Sequence, residues 1–139
     1  MTAKTRLREP ARPILAGAAI LVVEDEFYLA FELKAAVERA GGIVAGPFAD
    51  AASAIAHLVE ARIDGAVVDV NLGSGISTLV ADALIERAVP FLLLTGYDAA
   101  ALPDRFGGVE RIEKPADPCA VMRKLRVLVG PGEGQAAAR

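Results

Sequence analysis

Three apolar runs and one mixed segment in this chain each stop at an acidic, hydroxyl or basic side chain. A continuous apolar run of four or five residues is typical of a strand that is buried on both faces of a parallel sheet. All strands of such a sheet end at one edge, so the polar groups that follow them are predicted to lie close together. The runs and the groups that end them are 20–23 with Glu24-Asp25-Glu26, 66–68 with Asp69, 91–94 with Thr95, and 109–113 with Lys114-Pro115.

The composition of the 139-residue chain favours one tightly packed soluble domain. Although 54% of the residues are hydrophobic, no apolar stretch approaches the ~18 residues that a membrane span needs, so membrane insertion is not expected. A net charge of −3 argues against direct nucleic-acid binding, which requires a basic surface. The single cysteine, Cys119, rules out an intramolecular disulfide and favours a cytoplasmic location.

Strand signals and helix signals alternate five times along the chain. This alternation predicts an α/β fold, a five-stranded parallel sheet with helices on both faces, although it leaves the strand order open. The second strand, 43–45, is predicted to end at Gly46-Pro47, and only a short or irregular fourth helix fits between Thr95 and Val109. The other predicted helices cover 27–40, 50–61, 77–87 and 118–129, and the third strand covers 66–70.

The two ends of the chain differ in composition from the middle. Residues 1–16 are predicted to form a flexible basic N-terminal arm, which carries Lys4, Arg6, Arg8 and Arg12 together with Pro10 and Pro13. Residues 17–129 are predicted to form the folded domain. The Gly- and Ala-rich residues 130–139 are expected to be a flexible tail.

The chemistry of the predicted cluster points to a divalent cation and a phosphoryl group. Carboxylates about 4 Å apart repel by roughly 4 kcal/mol at an effective dielectric constant of 20, so Glu24, Asp25 and Asp69 need a dication and Lys114 to neutralise them. Mg²⁺ prefers oxygen ligands and often shares its shell with phosphate. Phosphoryl transfer mainly requires positioning and charge neutralisation. Each group also has a plain structural interpretation, as a helix cap or a solvated strand end.

These signals, in this order, resemble the receiver domain of two-component response regulators. The resemblance covers about residues 18 to 129 and implies the flavodoxin-like receiver fold. The matching segments are Leu21-Val22-Val23-Glu24-Asp25-Glu26, Val67-Val68-Asp69-Val70-Asn71, Leu94-Thr95-Gly96 and Glu113-Lys114-Pro115.

The resemblance implies a role for each residue of the cluster. Asp69 is implied to be the phospho-acceptor, while the Thr95 hydroxyl and the Lys114 ammonium bind the phosphoryl oxygens. Mg²⁺ is implied as the cofactor, with ligands from Glu24, Asp25, Asp69 and the backbone carbonyl of Asn71. A cis peptide bond between Lys114 and Pro115 is also implied.

One position departs from the family pattern. Receivers usually carry an aromatic residue three positions before the lysine, and its rotation follows phosphorylation; here that residue is Arg111. Tyr97 is a candidate substitute reporter, and Gly96 leaves the backbone amide beside Thr95 approachable. Side chains at Asn71 and Tyr97 are expected to flank the phosphoryl group, and bulky Tyr97 is hypothesised to restrict attacking water and so lengthen the lifetime of the acyl phosphate.

The resemblance implies a stand-alone, single-domain response regulator that accepts a phosphoryl group from a sensor histidine kinase or a phosphotransfer protein. It then signals through contact with an output protein or acts as a phosphate relay or sink, as a monomer or weak dimer. Enzymatic turnover beyond its own autophosphorylation and dephosphorylation is not expected. One alternative is a degenerate receiver that binds partners without phosphorylation; another is a small Mg²⁺-dependent phosphohydrolase, which would need an acid where Asn71 stands.

Overall fold

The structure is a computed structural model that describes residues 13–73, 75–96 and 100–130. It contains one five-stranded parallel sheet with helices on both faces, which confirms the predicted fold class. The strands are β1 (Ala19–Val23), β2 (Ile43–Phe48), β3 (Gly65–Asp69), β4 (Phe91–Thr95) and β5 (Arg111–Glu113). The helices in the described ranges are α1 (Phe27–Arg39), α2 (Ala51–Glu60), α3 (Leu79–Glu86) and α4 (Pro118–Val129), together with a 3₁₀ turn, Asp104–Phe106.

The strand order in the sheet is β2-β1-β3-β4-β5. The chain therefore moves outward from β1 to β2 and then crosses back over β1 to reach β3. In open sheets of this kind, ligands bind where the order reverses, beyond the carboxyl ends of the strands. The reversal lies between β1 and β3, which are paired in register from Ile20 opposite Gly65 to Val23 opposite Val68.

Successive residues of the central strands point to opposite faces of the sheet, and each face has its own core. The core under α1 and α4 takes Ile20 and Val22 from β1, while the core under α2 and α3 takes Leu21 and Val23. Because both faces are covered, these strands read as continuous apolar runs. The remaining strand residues divide in the same way, with Val67, Leu92 and Leu94 on the first face and Ala66, Val68 and Leu93 on the second.

The second strand does not end where the sequence predicted. It continues through Gly46 and Pro47 to Phe48, so the prediction that it stops at residue 45 was wrong. Gly46 adopts a φ of +104° and its bond to Pro47 is cis. These two residues shift the register against β1, and pairing resumes where Val23 lies opposite Phe48. Glycine is suited to this position because a side chain there would be strained.

The packed part of the chain reaches back to at least Leu15, within the segment predicted as the arm. Leu15 is 2% exposed, and its backbone N–H donates to the Ala40 carbonyl at 2.8 Å. The Gly17 N–H likewise donates to the Gly41 carbonyl at 2.9 Å. The predictions for residues 1–12 and 131–139 fall outside the described residues.

The connection from β4 to β5 carries the 3₁₀ turn, whose Phe106 is fully buried in the core under α2 and α3. Residues 97–99 of this connection are not among the described residues. In the described ranges, no helix combines the length and the apolar character needed to span a bilayer.

Candidate functional site

The polar groups that end the apolar runs meet at the carboxyl edge of the sheet. Glu24 and Asp25 directly follow β1, Asp69 is the last residue of β3, and Thr95 is the last residue of β4. Lys114 directly follows β5 and is linked to Thr95, whose carbonyl accepts a 2.7 Å hydrogen bond from the Lys114 N–H. The Lys114–Pro115 peptide bond is cis, as the resemblance implied.

Three carboxylates form a compact acidic cluster at this edge. One carboxylate oxygen from each of Glu24, Asp25 and Asp69 lies within 4.8 Å of the other two. Glu24 is 1% exposed and Asp69 is 4% exposed, while Asp25 lies on the surface. The cluster therefore has one face toward solvent and two buried charges beneath it.

Lys114 is the cation that compensates the buried acids. Its Nζ lies 2.7 Å from Asp69 Oδ2 and 3.0 Å from Glu24 Oε1. A charge-assisted contact of this length is strong because the site is partly withdrawn from water. One ammonium opposite these acids still leaves the cluster with excess negative charge.

The pKa values of Glu24 and Lys114 are both affected by the burial of these side chains. Desolvation raises the pKa of Glu24 from an ordinary 4.5 to about 7, although hydrogen bonds from the Glu26 amide and from Lys114 oppose the rise. For Lys114, burial acts to lower the pKa, but hydrogen bonds to Asp69 and Glu24 outweigh it and leave the pKa raised. The contact with Lys114 therefore does not offset the cost of burying a charge on Glu24.

The donor set fits a hard divalent cation. All the side-chain donors are carboxylate oxygens, which Mg²⁺ prefers. Among the described residues, buried Glu24 Oε1 has no hydrogen-bond partner, even though it is in ion-pair range of Lys114. Glu24, Asp25 and Asp69 are the residues that would hold the cation; the backbone carbonyl of Asn71 as a further ligand stays a prediction.

The loop after β3 is shaped by its own hydrogen bonds. The Asn71 N–H donates to Asp69 Oδ1 at 2.8 Å, and Asn71 Oδ1 accepts from the Gly73 N–H at 3.0 Å. Asn71 therefore closes the loop with its side-chain oxygen. Gly73 has a φ of +94°, and a Cβ on it would lie 3.1 Å from Asp25 Oδ2.

Sequence reasoning missed the role of Gly73, which allows the loop to approach the exposed member of the acidic cluster. Its signal in the sequence is the glycine-rich segment Gly73-Ser74-Gly75, between the third predicted strand and the third predicted helix. It also missed the exposed aromatic side chains at the start of α1, where Phe27 is 74% exposed and Tyr28 is 75% exposed. Both lie off the apolar face of α1, which a helical projection shows from the sequence.

A pocket of about 560 Å³ opens beside the cluster. It lies between the first turns of α1 and the segment after β5, and Lys114 forms part of its wall. Its other lining residues are mainly acidic or apolar: Glu26, Tyr28, Leu29, Glu32, Gly96 and the segment from Glu113 to Ala116. The pocket gives a second molecule access to the side of the cluster.

Thr95 and Gly96 lie where the sequence places them, at the end of β4. Thr95 is 1% exposed, and Gly96 lines the pocket. Tyr97 is not among the described residues, so its roles as reporter and as a barrier to water stay predictions. The assigned functions of the site residues likewise stay predictions, although the structure brings Glu24, Asp25, Asp69, Thr95 and Lys114 to one edge of the sheet.

Comparison with known proteins identifies the family. No family model and no curated protein matches the sequence. Among solved structures, SdrG from Sphingomonas melonis Fr1 is 33% identical, with a TM-score of 0.69 over 84% of this chain and 97% of that one. A response regulator receiver protein from Sinorhizobium medicae WSM419 is 25% identical, with a TM-score of 0.70 over 81% of this chain and 94% of that one.

The chain belongs to the receiver domains of response regulators. The predicted resemblance is thereby confirmed. The BeF₃-activated conformation of SdrG from Pseudomonas melonis Fr1 is also similar to this receiver, at 35% identity and a TM-score of 0.68 over 82% of this chain and 98% of that one. The receiver domain of the sensor histidine kinase PA1611 from Pseudomonas aeruginosa PAO1, which has a magnesium ion in its active-site cleft, shares the fold at 24% identity; its TM-score is 0.69, over 84% of this chain and all of that one.

The structure shows the surroundings of Arg111, where the sequence predicts a departure from the family pattern. The half-buried Arg111 side chain donates from Nη2 to the Phe106 carbonyl at 2.9 Å. A guanidinium group that is hydrogen-bonded to the backbone therefore occupies the position where the family pattern predicts an aromatic ring.

Proposed function

We propose that this receiver accepts a phosphoryl group on Asp69 from a phosphohistidine of a sensor histidine kinase or phosphotransfer protein, in a reaction that depends on Mg²⁺. The observation that carries this proposal is the convergence of three carboxylates and Lys114 within one site. A relative that has a BeF₃-activated conformation and a neighbour with magnesium in its cleft support it.

The contacts of Asp69 suggest which of its oxygens reacts. The Asn71 N–H holds Oδ1 at 2.8 Å, whereas Oδ2 faces the Lys114 ammonium at 2.7 Å. We expect Oδ2 to attack phosphorus, so that an O–P bond forms while the P–N bond to the donor histidine breaks. The electron pair of that bond leaves with the imidazole, and Lys114 moves from Oδ2 to a phosphoryl oxygen.

The rest of the site neutralises and orients charge. A divalent cation held by Glu24, Asp25 and Asp69 would offset the negative charge of the acids and of the phosphoryl oxygens. Thr95, at the end of β4, would donate its hydroxyl to the phosphoryl group. Because Lys114 and the other two carboxylates already lie beside Asp69, much of the charge compensation precedes bond formation, and Lys114 then moves to a phosphoryl oxygen.

The pocket beside Lys114 provides an approach for the donor protein. Its lining of Tyr28, Glu26, Glu32 and Glu113 combines an exposed aromatic side chain with negative charge. We propose that the protein works in the cytoplasm as a single-domain response regulator, monomeric or weakly dimeric. Its output is contact with another protein, or it serves as a phosphate relay or sink, with no turnover beyond its own acyl phosphate.

The proposal is tested by the intact mass of the protein after incubation with acetyl phosphate, with and without Mg²⁺. The expected result is a gain of one phosphoryl group that requires Mg²⁺ and is absent from Asp69→Ala. Equal modification of wild type and Asp69→Ala, or no modification of wild type with Mg²⁺, would contradict the proposal.

A further inference from the structure

Two arginines hold the 3₁₀ turn between β4 and β5 from opposite sides. From within the turn, Arg105 Nε and Nη2 donate to the two carboxylate oxygens of Asp82 in α3, at 3.0 and 2.9 Å. From β5, Arg111 Nη2 donates to the Phe106 carbonyl at 2.9 Å. The turn is thus joined to a helix on one side and to the edge of the sheet on the other.

The residue between these two contacts is anchored in the core. Phe106 is fully buried, and the Arg105 guanidinium lies 4.7 Å above its ring centroid. The Phe106 carbonyl accepts from the Val109 N–H at 3.1 Å as well as from Arg111. A turn fixed by its ring, its carbonyl and a two-point ion pair has little freedom to shift independently of α3 and β5.

The strand that carries Arg111 also carries the lysine of the phosphoryl site. Arg111 lies opposite Leu93 in β4, and two residues further along Thr95 lies opposite Glu113. Lys114 follows at once and is bonded to Asp69. Arg111 is the first residue of the three-residue strand β5, so movement of Lys114 toward a phosphoryl group pulls on the same short strand to which the turn is attached.

We propose that Arg111 is a positioning residue, which with Arg105 clamps the turn and restrains β5, and with it Lys114, in the unphosphorylated form. In the structure the clamp is present together with the direct contact between Lys114 and the Asp69 carboxylate. A contact that is stronger in one state shifts the equilibrium toward that state by its difference in free energy. The clamp therefore opposes phosphorylation, and this inference rests on the proposed function.

The test compares initial rates of phosphorylation by acetyl phosphate, read by intact mass at one Mg²⁺ concentration. Arg111→Met is expected to react about fivefold faster than wild type, within the usual range of coupling between sites. Arg111→Lys, which keeps one donor for the carbonyl, is expected to react at a rate close to that of wild type. Exposed Arg126→Met is the matched control and is expected to leave the rate unchanged.

A second variant tests the other side of the clamp without disturbing a half-buried position. The Arg105–Asp82 ion pair is exposed, so Arg105→Met is expected to fold and to raise the rate in the same direction. If both arginines act through one turn, the phosphorylation rate of the double variant should increase by less than the product of the two single fold-changes. Hydrogen exchange at the Val109 amide, which is bonded to the Phe106 carbonyl, is expected to speed up in each fast variant.

The outcomes distinguish failure of the clamp from failure of the proposed function. Faster reaction of Arg111→Met and Arg105→Met, with Arg111→Lys close to wild type, supports the clamp. An unchanged or slower rate in Arg105→Met and Arg111→Met, with wild type still modified on Asp69, overturns the clamp and leaves the proposed function standing. Failure of wild type to react overturns the proposed function, and the clamp falls with it.

Discussion

Lys114 and Asp69 join two strands that are not neighbours in the sheet. Lys114 Nζ lies 2.7 Å from Asp69 Oδ2, and the contact spans β4, which separates β5 from β3. The same ammonium lies 3.0 Å from Glu24 at the end of β1. One side chain therefore connects three of the strand ends that form the site.

Replacing Lys114 by Met is expected to change two properties in opposite directions. Phosphorylation of Asp69 by acetyl phosphate is expected to fall by at least about tenfold, because a phosphoryl-binding donor is lost. Mg²⁺ affinity, measured by calorimetry, is expected to rise by about tenfold, because the cation no longer shares the acids with an ammonium. Lys124→Met, which breaks an exposed ion pair with Glu110, is the control. A fall in both properties would show that Lys114 is mainly structural.

The buried Glu24 is expected to give the metal-free protein a distinctive pH dependence. Its folded pKa of about 7 exceeds the ordinary 4.5, so the folded state holds the proton more tightly than the unfolded state. The contribution of Glu24 to the free energy of unfolding is therefore fully present below pH 4.5 and is lost as the pH rises toward 7. Urea denaturation without Mg²⁺ should show Glu24→Gln gaining stability relative to wild type across this window, by about 3 kcal/mol at most. A constant difference would contradict the raised pKa.

Metal binding is expected to depend on the same proton. A carboxylate must be deprotonated to act as a ligand, so Mg²⁺ affinity should rise as the pH increases through about 7. Calorimetry in two buffers of different ionisation enthalpy should detect proton release near pH 6 and little near pH 8.5, values chosen about a unit or more from that pKa. Glu24→Gln should abolish this proton release. Equal release at both pH values would show that Glu24 does not titrate in this range.

A side chain at position 73 is expected to weaken Mg²⁺ binding because it would crowd Asp25, and not because of backbone strain. Gly73→Ala places a Cβ 3.1 Å from Asp25 Oδ2, whereas Gly75→Ala has nothing within 4 Å at a comparable positive φ. Both substitutions carry the strain of a left-handed backbone, about 1–2 kcal/mol. Only Gly73→Ala is expected to weaken Mg²⁺ binding, by several-fold. Equal losses in the two variants would assign the effect to the backbone.

Among the glycines in strands, Gly46 is expected to cause the largest loss of stability when it is replaced by alanine. A Cβ there would lie 2.7 Å from the Phe48 nitrogen and 2.9 Å from the Val22 carbonyl, both backbone atoms. Gly46→Ala should lower the free energy of unfolding by about 2–4 kcal/mol, from backbone strain and overpacking together. Gly17→Ala shares the positive φ but meets nothing within 4 Å, so it should lose only about 1–2 kcal/mol. Thermal denaturation of the two variants provides the comparison.

The sequence predicted the strand ends well where an apolar run was continuous. A strand that is buried on both faces is an unbroken apolar stretch, and the first polar residue marks its end. It failed at Gly46-Pro47, since a glycine and a proline usually end a strand, and only the pairing of Val23 with Phe48 shows that this strand continues. Predicting that Lys114 pairs with Asp69 in particular requires the strand order, and hydrophobic periodicity does not reveal that order. The hydrogen bond from Arg111 to Phe106 depends on the path of a connection that has no repeating pattern.

The central claim is that Asp69, and no other acid in the cluster, carries the phosphoryl group. Borohydride reduces an aspartyl phosphate to homoserine, so peptide mass spectrometry after reaction with acetyl phosphate and Mg²⁺ locates the modified residue. Homoserine is expected at position 69 alone, with Asp25 unchanged and Glu24 not reduced. Reduction at Asp25 or Glu24, or an unreduced Asp69 in protein that has gained a phosphoryl group, would contradict this claim.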